Sequence, residues 1–328
     1  MTNKTSRQLA IRLARQVEHD DVLRRFFPAF ALELAVAPRT TLSAPGDSPG
    51  AKTLPRHHLW VAEEEGSVVA AALTRIMPGR IAMLWPPRLQ WDCAPQVDRS
   101  ERSGQVLRQL MAAVDAFLTS QNVQIVQALA DTASAPDALR LADCGLVHLT
   151  DLLYLVSRAT DSSAAPIGPS AEMGERLDFL AFENQQFDRM AALVEQTYEG
   201  TLDCPQLNGM RPVADVLDEH RAVGVFRPDW WLFARQDGHD VGCLLLADHP
   251  AQSQVELVYM GIVPLWRGRG LGLQIVRHAR WLTGNAGRAR LVLAVDAENR
   301  PAIAMYAAAG FLAWDRRAVF LKCYSRHA

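Results

Sequence analysis

The stretch VELVYMGIVPLWRGRGLG (residues 255–272) puts two arginines and three glycines into its last six positions, directly after an apolar run. Residues 255–263 are β-branched and apolar enough for a buried strand. Beyond the glycines, Leu271, Ile275, Ala279 and Leu282 recur at helical spacing, with Gly284 as the expected stop. The stretch therefore reads as a strand-to-helix turn. Gly268, Gly270 and Gly272 let the backbone approach a ligand and leave N–H groups at a helix N-terminus, where the dipole favours an anion. Arg267 and Arg269 add positive charge. The ligand implied is a phosphate group, and most simply a diphosphate.

Several diphosphate loops can be compared with it. A Walker loop needs a lysine followed by Ser or Thr, which is missing here. A dinucleotide fingerprint needs a wider glycine spacing and a ribose-binding acid about 20 residues on, a zone that Asp296 roughly occupies. The Arg-x-x-Gly-x-Gly spacing of Arg267, Gly270 and Gly272 fits neither. It resembles the acyl-CoA pyrophosphate loop of the GNAT N-acetyltransferase superfamily, over about residues 177–324.

Two further segments carry the same resemblance. AVDAENRPAIAMYAAAGF (residues 294–311) reads as a strand, then Asn299, then a short helix with Tyr306 that ends at Gly310. In the superfamily an Asn here contacts the pantetheine arm or holds the strands apart, and the Tyr offers its hydroxyl to the coenzyme sulfur. A departing thiolate is stabilised by a nearby acid. On bland readings, Tyr306 is a core aromatic and Asn299 a helix cap. Glu256, eleven residues before Arg267, stands where one branch of the superfamily carries its general base. Glu256 or a water beside it is thus a candidate for deprotonating the amine, the alternative being a solvated strand-edge carboxylate. The resemblance also implies that backbone groups around Met260, Gly261 and Ile262 pair with pantetheine and polarise the acyl carbonyl. Leu271 completes the coenzyme-binding turn.

Acceptor specificity is expected from YEGTLDCPQLNGMR (residues 198–211), a turn-rich stretch between a helical pattern over 187–194 and a second helix beginning near Pro212. Tyr198, Asp203, Asn208 and Arg211 are the candidates for gripping an amine. Turn chemistry alone would also account for Asp, Asn and Gly there.

The chain has 328 residues, 49% hydrophobic and 21% charged, with a formal net charge of -2: two globular domains' worth of sequence without global affinity for nucleic acid. Five scattered cysteines, Cys93, Cys144, Cys204, Cys243 and Cys323, exclude a CxxC zinc site, and no metal is expected. No apolar run approaches a membrane span, so the expected location is the cytoplasm. Residues 1–16, basic and free of acids, read as a solvated helix.

The segment ATDSSAAPIGPSAEMG (residues 159–174) reads as a linker between domains at 1–158 and 175–328. The halves look duplicated. LWVAEEEGSVVAAAL (59–73) aligns with WLFARQDGHDVGCLL (231–245), both as hairpins with a glycine turn, and APDALRLADCGL (135–146) aligns with RPAIAMYAAAGF (300–311). The first half lacks the coenzyme signature, however. Projection sets Arg102 under Gly270, Glu101 beside the expected phosphates, Arg99 under Arg267, Gly104 under Gly272, Ser134 under Asn299 and Leu141 under Tyr306.

The expected architecture is α/β (α+β): two tandem GNAT-like domains, each a mixed, mostly antiparallel twisted sheet flanked by helices, the first degenerate. The implied function is direct transfer of an acetyl (acyl) group from acetyl-CoA, as co-substrate, to a primary amine of a small molecule or peptide, by a monomer or homodimer. The alternatives are a non-catalytic acyl-CoA-binding regulatory protein and a binder of another nucleotide.

Overall fold

The computed structural model describes residues 9–31, 57–91, 100–159 and 177–324. The chain divides into two compact units, residues 1–148 with 319–328, and residues 149–318. Among the described residues no helix is long and apolar enough to cross a membrane.

Unit 1 contains strands β1 (Leu9–Leu13), β2 (His57–Glu64), β3 (Ser67–Met77), β4 (Ile81–Leu89) and β5 (Ile125–Ala130), with helices α1 (His19–Phe26), α2 (Ser100–Ser120) and α3 (Pro136–Asp143). β1 through β4 pair antiparallel in order, and β4 pairs parallel to β5. Residues 9–13 thus form a strand where a solvated helix was expected. Leu9, Ile11 and Leu13 alternate with Ala10 and Arg12, a period of two that suits the edge of β2, where Ile11 lies opposite Ala62. Arg12 anchors the edge on Glu18 and Glu63.

Unit 2 repeats the plan. It contains β6 (Val147–Arg158), β7 (Asp178–Ala181), α4 (Phe187–Tyr198), α5 (Val213–Arg221), β8 (Val225–Gln236), β9 (His239–His249), β10 (Gln254–Ile262), α6 (Leu271–Asn285), β11 (Arg290–Asp296), α7 (Arg300–Ala308) and β12 (Leu312–Cys323). β7 to β10 pair antiparallel in order, β10 runs parallel to β11, and β11 runs antiparallel to β6. Both expected hairpins are present. Their turns, Glu65-Gly66 and Asp237-Gly238, have positive φ at both residues, the mirror-image geometry that matches strand twist and that glycine tolerates best.

The division differs from the sequence reading in one respect. Residues 149–158, expected to end the first domain, belong to unit 2, and residues 319–328 belong to unit 1. The packing explains why. Seven residues of β6, Leu152 to Arg158, pair with β11, and Leu155 enters the core of unit 2. In unit 1, Lys322 Nζ donates to Asp115 Oδ2 at 2.6 Å, and the Tyr324 hydroxyl donates to Asp115 Oδ1 at 2.7 Å. The first half of the sequence thus lends nearly all of β6 to unit 2, and the second half lends the end of β12 to unit 1. Residues 160–174 of the expected linker lie outside the described residues.

The core of unit 2 has two faces. On one, Ile275, Val276 and Ala279 of α6 pack on Val255, Leu257, Leu291 and Leu293 with Tyr306 of α7. On the other, Met190, Leu193 and Val194 of α4 and Leu217 of α5 pack on Trp231, Phe233, Cys243 and Leu245. α6 runs one residue past the expected stop at Gly284, and the left-handed residue behind it is Gly287, φ +66°.

Candidate active site

β10 and β11 part company early. Gln254, Val255 and Glu256 pair with Arg290, Leu291 and Val292, and the pairing ends there, although both strands continue. On its other edge β10 stays paired with β9 through Ile262, with a register shift between Leu257 and Tyr259. Val263 N–H donates to Val241 O at 2.9 Å, which makes 263 and 241 a hydrogen-bonded pair. By the alternation of an antiparallel ladder, Gly261 spends its backbone groups on Cys243, while Met260 and Ile262 turn theirs toward the opening. Of the three expected pantetheine contacts, Met260 has its backbone N–H and C=O to offer and Ile262 its N–H, the Ile262 carbonyl being taken by Arg267, and Gly261 has a different task. A Cβ at Gly261 would lie 2.5 Å from Thr197 Oγ1, so its bareness lets α4 cross β10.

The glycine turn follows β10 as expected. Gly268 (φ +77°) and Gly270 (φ +75°) are left-handed, with open space where their Cβ atoms would stand, and Gly270 is the N-cap of α6 without any side-chain cap bond. The first-turn N–H groups of α6, from Leu271 and Gly272 on, are thus available to an anion. Gly272 is a packing residue: a Cβ there would meet Met305 Sδ at 2.6 Å.

Arg267 departs from the sequence reading. Its guanidinium donates to Ile262 O (2.9 Å), Gly200 O (3.1 Å) and Thr197 O (2.8 Å). Three carbonyls at the ends of β10 and α4 hold it inward, because a guanidinium presents its donors in a planar fork that suits such a cluster. It shapes the turn. Arg269 is exposed, lies over the Trp266 ring at 4.7 Å and donates to Leu265 O at 3.1 Å.

α7 carries Tyr306 into the core against which Met260 packs. Asn299 Oδ1 accepts the Ala302 N–H at 3.3 Å and so caps the helix, the bland expectation for that residue. Its side chain also lies close enough to Asp203 to favour the charged carboxylate weakly. Tyr306 is buried against Phe311, with ring centroids 5.5 Å apart, and burial, helped by the charge of Asp203, pushes its hydroxyl well above the usual phenol range. At neutral pH the group is a proton donor.

Asp203 was expected to grip the acceptor. Its Oδ1 instead accepts the Asp296 N–H at 2.9 Å, while Asp296 Oδ2 accepts the Cys204 N–H at 3.0 Å. Asp296 Oδ1 also accepts from the Thr150 hydroxyl (2.7 Å) and the Glu298 N–H (2.9 Å). Burial foremost raises the Asp203 pKa. The other three acceptor candidates are also tied down. Tyr198 is largely buried, edge-on to Tyr259 at 5.8 Å, and burial raises its hydroxyl. Asn208 Nδ2 donates to Tyr198 O at 3.1 Å, and Arg211 pairs with Glu219 at 2.5 Å. Through these bonds Asn208 and Arg211 hold the loop. Tyr259, which sequence reading passed over, shares a 2.6 Å hydrogen bond with Thr197 Oγ1. An aromatic just past a strand irregularity was its only signal.

Glu256 sits where β10 and β11 are still paired. His249 Nε2 lies 2.9 Å from its Oε2, and its side chain stays 37% exposed, enough to reach a substrate or a water.

Residues 194–311 match the acetyltransferase (GNAT) family, which spans β10, the glycine turn and α7. Over 81% of this chain, and 83% of the other, the sequence is 27% identical to the mycothiol acetyltransferase of Thermobifida fusca (strain YX). The chain carries a domain of the GNAT family at residues 194–311. It is an acetyl-CoA-dependent N-acetyltransferase, since acetyl-CoA is the family's co-substrate. Two solved structures share the fold along nearly the whole chain. A GCN5-related N-acetyltransferase from Sphaerobacter thermophilus matches with a TM-score of 0.56 and 17% identity, covering 96% of this chain and 95% of that one. A tandem GNAT protein from the clavulanic acid biosynthesis pathway matches with a TM-score of 0.51 and 15% identity, covering 98% and 100%.

The GNAT fold of unit 1 has the same early parting of its parallel strands: β4 pairs with β5 only from Ile81 to Met83. Its edge differs in chemistry. Where β10 presents Met260, β4 has Pro86 and Pro87 between Trp85 and Arg88, so no N–H is available there. Arg102, projected under Gly270, already lies in α2 and pairs with Glu64. Leu141 is fully buried in α3. Arg99 lies outside the described residues.

Proposed function

We propose that unit 2 binds acetyl-CoA in the opening between β10 and β11 and transfers the acetyl group to the primary amine of a small molecule. The observation that carries this reading is a coincidence of three features. They are the unpaired backbone edge of Met260 with the Ile262 N–H, the uncapped glycine-lined N-terminus of α6, and Tyr306, buried in the core against which Met260 and Ile262 pack. The diphosphate lies on the N–H groups that follow Gly268 and Gly270, and pantetheine extends the sheet along Met260 and Ile262.

In this reading the Met260 N–H polarises the thioester carbonyl. The amine gives up a proton to Glu256, directly or through a water, and attacks. The C–N bond forms, the C–S bond breaks, and Tyr306 protonates the departing thiolate. Arg267, Asp203 and Asn299 act through position, Arg267 by fixing the turn, Asp203 by holding Asp296 at the end of β11 and Asn299 by capping α7. Similarity to a mycothiol acetyltransferase supports a small-molecule acceptor. Unit 1 keeps the fold without a working coenzyme site, a reading supported by Pro86-Pro87 and Leu141.

Calorimetric titration with acetyl-CoA tests this directly. One site per chain, lost in Gly270→Glu, is the expected result. Two sites would restore unit 1 as a binder, and absence of binding would overturn the reading of the opening.

A further inference from the structure

The sheet of unit 2 has a bare patch on the face that carries Glu256. Glu256 lies opposite Val292, and Val292 opposite Val156. Two residues on, Ala294 lies opposite Tyr154, and two further, Asp296 lies opposite Leu152. Because alternate residues of a strand share a face, Glu256, Ala294 and Tyr154 lie on one side of the sheet, while Val255, Leu293 and Leu155 enter the core on the other. Ala294 belongs to a central strand, yet it is exposed, so nothing packs over it. The face covered by α4 and α5 elsewhere is open here.

Two aromatic residues border this floor. The Tyr154 ring on β6 meets the Trp314 ring on β12 edge-on, with centroids 5.9 Å apart and planes at 63°. Trp314 remains 61% exposed, an unusual position for an indole on a strand. Burial first, then Asp315, push the Tyr154 hydroxyl up; Arg317 opposes them, and Glu256 adds the weakest push. Asp315 is paired with Arg317, Nε to Oδ2 at 2.8 Å, so the carboxylate left to the patch is Glu256, with His249 beside it. The patch thus combines an open apolar floor, an aromatic wall and the Glu256 carboxylate at its end. That is the chemistry for a cationic amine attached to a ring with an apolar face.

We propose that Tyr154 and Trp314 form the platform for the acceptor's body, a ring laid against the exposed indole with its amino group directed along the floor of Ala294 toward Glu256. The ring is aromatic or the C–H face of a sugar. This inference rests on the assignment of the β10–β11 opening to acetyl-CoA. It also gives the exchanged strand a purpose: β6, from the first half of the sequence, supplies Tyr154 to the working face of unit 2. Tyr154 and Trp314 are binding residues here, without a chemical step of their own.

The test uses the full chain with saturating acetyl-CoA and three amines, tyramine, glucosamine and hexylamine, followed by release of free coenzyme thiol. At least one ring amine is expected to exceed hexylamine in kcat/KM by about tenfold. Trp314→Ala is expected to remove that preference by raising KM for the ring amine about tenfold, to the hexylamine level, with Trp314→Phe retaining most of it. Tyr154→Leu is expected to weaken ring amines in the same sense. Tyramine against glucosamine separates an aromatic from a sugar ring. Equal use of ring and linear amines, or an equal loss for all three in Trp314→Ala, overturns the platform while leaving the transferase reading in place. Failure of acetyl-CoA to bind overturns the transferase reading instead. The platform is then read by tryptophan fluorescence: saturable quenching by a ring amine in the parent and none in Trp314→Ala supports it, and the same response in both overturns it.

Discussion

Asp203 and Asp296 hold each other's segments: Asp203 Oδ1 accepts the Asp296 N–H at 2.9 Å, and Asp296 Oδ2 accepts the N–H of Cys204 at 3.0 Å. The exchange fastens the loop after α4 to the end of β11, beside Asn299 and the start of α7. Asp296 also takes the Thr150 hydroxyl and the Glu298 N–H. Asp296→Asn must turn an NH2 toward one of these donors, whichever way the amide lies. The expected cost is about 2–3 kcal/mol, against about 1 kcal/mol for Thr150→Val, which removes a single hydroxyl. Urea unfolding of both variants measures the difference.

The raised pKa of Asp203 predicts a pH dependence. A carboxyl that is more basic in the folded chain favours folding while protonated. Its contribution is complete below the unfolded value, about 4, and is lost as pH rises through the folded one. Asp203→Asn keeps an oxygen for the Asp296 N–H but cannot titrate. Its stability profile above about pH 4 is expected to be flatter than that of the parent. Parallel slopes in urea titrations over that range would remove Asp203 as the cause.

Three histidines act in the opposite sense. Burial foremost lowers His57, His220 and His278 to about 4. The unfolded chain therefore takes up protons near pH 6.5 that the folded chain refuses until about pH 4. Stability falls as pH drops through that window, by at most about 1.4 kcal/mol per pH unit for each histidine. His278, stacked on Phe179 at 3.8 Å, is the most readily replaced. His278→Phe should reduce the slope by about one third.

Gly261 and Gly272 both stand in crowded places, but their neighbours differ. A methyl at Gly261 meets Thr197 Oγ1 and Cβ at 2.5 and 2.6 Å, the stiff base of a β-branched side chain on α4. A methyl at Gly272 meets the mobile end of Met305, and alanine gains helix propensity there. Gly261→Ala is expected to cost about 1–3 kcal/mol and Gly272→Ala less than about 1 kcal/mol, as thermal unfolding would show.

Tyr306→Phe removes only the hydroxyl from a ring that is already buried. Turnover is expected to fall by about 10²–10³ with acetyl-CoA affinity unchanged. Undiminished turnover would take Tyr306 out of the proton path.

The sequence by itself determined the local pieces: the strand, glycine turn and helix over residues 255–285, the cap and tyrosine of α7, and the two hairpins whose turns require positive φ. Each of these rests on neighbours in the chain, on periodicity or on the freedom of a glycine, and such signals are written in order along the sequence. Tertiary structure alone decided the rest. The exchange of β6 and the end of β12 between the units is invisible in sequence because either strand alternates suitably for either sheet; only the available edge chooses. Arg267 reads as a phosphate ligand until three carbonyls from α4, the turn after it and β10 converge on it. Asp203 and Asp296 stand 93 residues apart, and no local signal announces that each will satisfy the other's backbone. Long-range hydrogen bonding depends on where the fold brings donors and acceptors together, and composition and spacing carry no record of that meeting.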